Sequence, residues 1–397
     1  MTEKADIVIC GGGIIGLAIA RELLKNRHEN IVILEKEQEI GMHASGRNSG
    51  VLHAGIYYTP ESLKAKLCIK GNILMKEYCR EKNIPVLNTG KVIVARNENE
   101  IPALKELYQR ALENKTGAEL IDEKKLKTIE PYARTQGLAI FSPHTSVVDP
   151  VEVLKGIEQD IMSSGKVKVL KGEGFKSVRG DNEAVTENRS IKFDLFINAA
   201  GSYSDKIAHM FGTGLNYLAV PFKGTYKKLK KEKNYLVKGN IYPVPDSSAP
   251  FLGVHFTKAA DGTVYIGPTA IPAFGRENYG FLKGIDSEGL KILYRDIILF
   301  FENAKFRKIA LSEPGKYTLK SFFEDVKDMI DTLIPQDIEH SSKVGIRPQL
   351  IDWQKKELVM DFVILKSGNS LHILNTISPG FTSSMAFAEL VVSEFII

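Results

Sequence analysis

Three glycines near the start of the chain, Gly11, Gly13 and Gly16, stand in the order G-x-G-x-x-G. The spacing suits a turn that binds phosphate. Gly11 permits a tight bend, Gly13 lets the backbone approach a pyrophosphate, and Gly16 lets a helix pack closely on a strand. The helix opening at Ile14 and Ile15 would offer free N–H groups and the positive end of its dipole to the phosphates. Glu35, followed by Lys36, falls where an acid can accept hydrogen bonds from a ribose. Residues 43–55 read HASGRNSGVLHAG, a loop of small residues. Such a loop can lie along a dinucleotide's phosphates and reach a flavin ring, whereas a nicotinamide dehydrogenase normally has a short connection here. The expected cofactor is therefore FAD. Its expected contacts in the loop are Ser45, Gly46, Arg47, Asn48, Ser49, Gly50 and Val51, with Arg47 also a weaker candidate for substrate.

These residues need elements to hold them. The apolar run at 7–10 predicts a buried parallel strand, 14–25 a helix and 31–34 a second strand, together a right-handed βαβ unit. Residues 193–199 return to the buried-strand pattern and end at Ala199, Ala200 and Gly201, before a helix over 204–210. Further helices are predicted over 60–82 with Thr59 as cap, 101–113, 150–163 with Asp149 as cap, 290–306, and from 383 onward. Strands are predicted at 91–95, as a pair over 167–189, near 362–364 and at 371–374. Residues 221–272 are rich in strand and turn signals. The expected fold class is α/β (α+β two-domain). A Rossmann-like FAD-binding domain would take 1–85, 145–215 and 335–397. An interleaved antiparallel-sheet substrate domain would take 86–144 and 216–334.

Composition supports two cores: 397 residues, 43% hydrophobic and 25% charged, is an ordinary globular mixture. A net charge of +5 suits anionic ligands, and no nucleic-acid module is present. Three cysteines, Cys10, Cys68 and Cys79, make no disulfide framework and no metal-ligand spacing with histidines, which points to a reducing compartment. No leader pattern opens the sequence and no apolar run is long enough to span a bilayer. The expected location is cytoplasmic, with contact at the inner face of a membrane left open. Lys223, Lys227, Lys228, Lys230, Lys231, Lys233 and Lys238 crowd one stretch, read first as a solvated face and alternatively as an anionic-membrane contact. The apolar residues of 291–308 are either core or an interfacial face.

The N-terminal loop, HASGRNSGV, FINAAGSYSDKIA (196–208) and VGIRPQLID (344–352) resemble the FAD-dependent oxidoreductases related to D-amino-acid oxidase and glycine oxidase. SGRNSGVLHAGIYYTPESLKAKLCIKG (45–71), VPFKGTYKKL (220–229) and NIYPVPDSSAPFLGVHFTK (240–258) are similar to the branch of that family acting on L-2-hydroxyglutarate. Lys223 stands where that branch more often has arginine. SPGFTSSMAF (378–387) departs from its usual SPAATSS.

The resemblance implies hydride transfer from a hydroxy acid's α-carbon to flavin N5, giving 2-oxoglutarate, with electrons passed on to quinone or oxygen. The alternative is an amine oxidase for glycine, sarcosine or a D-amino acid. A third class is a flavin- or nucleotide-binding regulator without catalysis. His255 and His53 are the candidate bases, since both lie in family-like segments and histidine suits proton transfer near neutrality. Arg347 is the main candidate for a substrate carboxylate, because a guanidinium offers two parallel hydrogen bonds. Lys64 and Tyr57 are weaker candidates, with Tyr58 beside them. His43 is a candidate for covalent attachment to FAD. Gly380 fits a backbone contact near the flavin pyrimidine. The implied small-molecule partner is a dicarboxylate.

Overall fold

A computed structural model of the protein describes residues 2–246 and 251–397. Residues 247–250, within the 240–258 segment singled out above, lie outside the described residues.

Strand β1 (Thr2–Cys10) pairs in parallel with β2 (Ile31–Glu35) and with the strand Ser190–Asn198. Helix α1 (Ile14–Lys25) connects β1 to β2 and has the bounds that its apolar periodicity predicts. The second half of β1, residues 7–10, is apolar throughout because both its faces are covered, whereas Lys4 and Asp6 in its first half are exposed. Ile7 and Ile9 enter a core shared with Leu17, Leu154 and Phe387, while Val8 and Cys10 enter one shared with Val32, Phe193 and Phe196. The sheet runs in the order 175–179, 183–186, 190–198, β1, β2, 167–171, and the strand Ser370–Ile373 joins it beside 190–198. The helices Pro150–Ser163 and Gly380–Phe395 pack on α1, and Leu63–Glu81 packs on Gly380–Phe395.

The second sheet has ten strands and is antiparallel apart from the pair Lys91–Val94 with Asn240–Pro243. Its backbone is a long ladder between Tyr217–Leu229 and Ile338–Asp352, in which Phe222 faces Arg347 and Gly224 faces Gly345. A small sheet of 51–52, 146–148 and 86–87 joins the glycine-rich loop to the rest.

Several expectations change. Residues 335–397 do not all belong with the nucleotide sheet. The segment Ile338–Asp352 pairs with Tyr217–Leu229 and Glu357–Leu358 extends its edge; the chain returns to the first sheet only at Ile364. The stretch 167–189 is three strands, because Val167–Lys171 pairs in parallel with β2 and only the other two form a hairpin. The helix expected from Pro60 begins at Leu63. The Ser62 hydroxyl accepts from Ala65 N–H, and Asp361 takes the N–H groups of Leu63 and Lys64. The helix expected over 290–306 breaks at Asn303, whose extended backbone ends one helix and whose side chain caps the next.

Candidate functional site

The loop from β1 into α1 is built by contacts that only glycine permits. A Cβ at Gly11, where φ is +113°, would lie 2.4 Å from the Ala199 carbonyl oxygen, and one at Gly16 would lie 2.0 Å from that of Gly11. Gly13 precedes α1 with no side-chain cap, and Ile14 N–H reaches the Ser45 hydroxyl at 3.0 Å. Buried Glu35 holds the loop from the end of β2: its carboxylate accepts from the N–H groups of Gly12 and Glu37. Asn48 ties the following loop, donating to the Ser45 carbonyl and accepting from Gly50 N–H.

A cavity of ≈700 Å³ starts at this loop and runs between the two sheets. Its nucleotide end is walled by Gly11, Gly13, Ile14, Ile15, Glu35, Lys36, Ser45, Arg47, Asn48, Ser49, Val51, Ala199, Ala200 and Gly201, and Gly380 stands farther along. Gly16, Gly46 and Gly50 stand behind the wall, where they let backbone segments touch: Gly46 abuts Gly41, and Gly50 abuts Val148. The far end is walled by the second sheet. Phe222, Gly224 and Tyr226 face it at every second position, as a pleated strand requires, together with Tyr242, His255 and Arg347. His53 reaches the same end from the glycine-rich loop.

His255 stacks on Tyr242 with centroids 3.7 Å apart. Its Nδ1 lies 2.7 Å from the Gly253 carbonyl oxygen, which can only accept, so Nδ1 carries the proton and Nε2 the lone pair. Burial lowers its pKa to about 3, with the Lys91 and Arg347 charges acting in the same direction. His53 is likewise lowered to about 3 by burial, and then by Lys91, His255 and Arg347. Its backbone is fixed by Thr382, Asn72 and Cys68, while its Nδ1 is buried without a partner. The Arg347 guanidinium sits over the Phe251 ring at 4.6 Å.

Lys64 and Tyr57 are not part of the wall. The Lys64 side chain turns toward the Phe362 ring, and burial lowers its pKa to about 8. The Tyr57 ring covers the ammonium of Lys91 at 4.4 Å. Lys91 went unseen in the sequence, where a lysine at the start of an apolar strand reads as its solvated flank.

A second feature missed at that level is a segment of the substrate half that crosses onto the nucleotide end. Glu277 binds Lys36 and the Tyr203 hydroxyl, Tyr279 meets His43 and Arg47, and Arg276 is buried between Asp205 and Glu288. Both ring nitrogens of His43 are hydrogen-bonded, Nδ1 to Tyr279 and Nε2 to Glu37 and Lys36. The basic run is a solvated face in part, with Lys231 and Lys238 exposed and Lys230 half-buried. Lys223 and Lys227 are buried, and Lys228 and Lys233 pair with Glu339 and Asp337. All three cysteines are buried and unpaired.

A glycine-built dinucleotide channel that ends at neutral histidines and a half-buried arginine defines an oxidoreductase that keeps its cofactor close to an acidic ligand. Comparison gives the particular group. The family described as FAD dependent oxidoreductase matches residues 6–394, and the chain belongs to that family. The channel fits FAD: its donors, its acid and its glycine contacts lie where a dinucleotide needs them. The chain is 38% identical to "L-2-hydroxyglutarate dehydrogenase, mitochondrial" of Homo sapiens, over 99% of this chain and 89% of that one. It is also 38% identical to "L-2-hydroxyglutarate dehydrogenase" of Indibacter alkaliphilus, over 97% of each. In fold it is similar to the L-alpha-glycerophosphate oxidase of Mycoplasma pneumoniae, solved with FAD bound. There the TM-score is 0.78 at 23% identity, over 98% of this chain and 94% of that one.

Proposed function

We propose that the protein oxidises L-2-hydroxyglutarate to 2-oxoglutarate. Full-length relatives named for that substrate support the reading, but one observation from the site carries it. In the wall at the far end of the cavity and directly behind it stand cations that the protein does not neutralise. Neither Arg347 nor Lys91 forms an ion pair among the described residues, and Lys64 is drawn by Asp361 but opposed by the Arg347 charge. Burying unpaired cations is costly unless a ligand compensates them. A dicarboxylate supplies two charges where glycine or another monocarboxylate supplies one.

The substrate's carboxylate beside the reacting carbon pairs with Arg347. His255 Nε2 takes the hydroxyl proton, and His53 stands close enough in the wall to share that work. Bound FAD supplies the acceptor for the hydride leaving the α-carbon. Tyr57 and Lys64 act from behind the wall by packing and by charge. The test is anaerobic mixing of the holoenzyme with L-2-hydroxyglutarate. We expect prompt loss of the visible flavin band with the L-isomer and none with the D-isomer. Bleaching by glycine or a D-amino acid instead would move the function to amine oxidation.

We also propose that electrons leave to a membrane carrier. No helix among the described residues is long and apolar enough to cross a membrane. The helix Gly289–Glu302 nevertheless turns Leu290, Leu293, Tyr294, Ile297 and Phe301 outward, and Phe281 and Leu282 stand beside it in sequence. Leu290, Phe301 and Phe281 are 78%, 72% and 80% exposed, far above what a packed helix shows. Exposed Lys283, Lys291, Lys305 and Arg307 accompany them in this stretch of chain, as an anionic interface would require. Replacing Leu290 and Phe301 with Ser should abolish flotation with anionic liposomes and leave flavin reduction intact. Unchanged flotation would refute this route.

A further inference from the structure

Lys91 lies on the strand Lys91–Val94 with 1% of its surface exposed. Its ammonium sits 4.4 Å from the Tyr57 ring centroid and 4.9 Å from that of Tyr242. It makes no hydrogen bond or ion pair among the described residues. Two aromatic faces replace part of its lost hydration and none of its missing counter-charge. The same Tyr242 ring lines the cavity and stacks on His255. The Lys91 charge is felt at both His53 and His255, which are themselves cavity wall. The groups that act on Lys91 are the Tyr57 and Tyr242 rings and the Cys68 thiol, none of them an anion at neutral pH.

We infer that Lys91 is a specificity-determining residue, the buried counter-charge toward which the second carboxylate of a bound dicarboxylate is drawn. The inference rests on the proposed function and deepens it, since Arg347 alone would serve a monocarboxylate equally well. It has a thermodynamic signature. Burial lowers the Lys91 ammonium to about 7 in the empty protein. Above that pH the group is largely neutral, and an arriving dianion favours its charged form and raises its pKa. Binding therefore takes up a proton, and affinity for a dianion falls as pH rises through the range above about 7.

The experiment is calorimetric titration of the FAD-loaded protein near pH 8, a value above the free group's titration. The ligands are glutarate and, as the monoanion, butyrate, each in buffers of different ionisation enthalpy. Wild-type protein should take up a sizeable fraction of a proton with glutarate and much less with butyrate. Lys91→Met should lose most of that uptake and bind glutarate about tenfold or more weakly, with butyrate little changed. Lys91→Arg keeps a charge that does not titrate. It should retain glutarate affinity without proton uptake, and it decides the question if the Met variant fails to hold FAD. Lys64→Met is the competing case: loss of uptake there, with uptake retained in Lys91→Met, overturns the proposal. If L-2-hydroxyglutarate bleaches the flavin while Lys91→Met binds glutarate normally, only this inference fails. If wild-type protein neither binds glutarate nor is bleached, the substrate reading fails as well.

Discussion

Replacing His255 with Gln is expected to lower turnover by roughly 100- to 10,000-fold, the range of a lost general base, while FAD stays bound. The glutamine has comparable bulk for packing on Tyr242 but lacks a basic nitrogen. In the native protein the Gly253 carbonyl fixes the proton on Nδ1, so Nε2 is held ready to accept one. The pH profile should carry the same information. A base works while it is neutral, and burial holds His255 at about 3. Activity set by this group is therefore present above that value and is lost only as pH falls toward it. On its acid side the kcat/KM profile should show no decline as pH falls through the ordinary histidine value of about 6.5. Steady-state kinetics with the flavin spectrum as control tests both points. Near-normal turnover in His255→Gln would shift the role to His53, whose Nδ1 is buried and unpartnered.

Arg347→Met should reduce kcat/KM by roughly 100-fold, because a charge-assisted pair with the substrate is worth up to about 3 kcal/mol. The effect should fall mainly on KM. Stability should behave differently. Arg347 makes no ion pair among the described residues, and burial already works against its charge. Removing it deletes a desolvation cost and breaks no ion pair among the described residues, at the expense of the contact with the Phe251 ring. The melting temperature should therefore stay the same or rise. A large drop would show that the guanidinium serves the fold, and an unchanged KM would show that it does not meet the substrate.

The nucleotide half was legible because each of its signals is local. The glycine spacing, the apolar run of β1 and the periodicity of α1 all lie within one stretch, and they agree with one another. Fifteen consecutive residues of the second sheet, Ile338–Asp352, were assigned to the wrong half. A strand's own sequence does not say which sheet it joins; that depends on a partner more than a hundred residues away. The far end of the cavity was partly legible. His53, His255 and Arg347 converge as expected, although they come from three separate parts of the chain. Lys64 and Tyr57 sit beside the right residues in sequence, but their side chains take other directions. Lys91 left no signal, because nothing in the neighbouring sequence marks a lysine as buried. The Arg276–Asp205–Glu288 cluster was hidden for the same reason: its members lie in three different segments.

The wall of the cavity is closed by Thr376–Thr382 and backed by the helix Gly380–Phe395, which packs on α1. The segment that completes the channel is thus the last of these parts to leave the ribosome, long after β1 and α1. A nascent chain can form the glycine turn early, but the channel that would hold the cofactor is not complete until residues 376–382 have folded back across its beginning. Cofactor capture is then coupled to completion of the polypeptide, and a product stalled before residue 376 would emerge colourless.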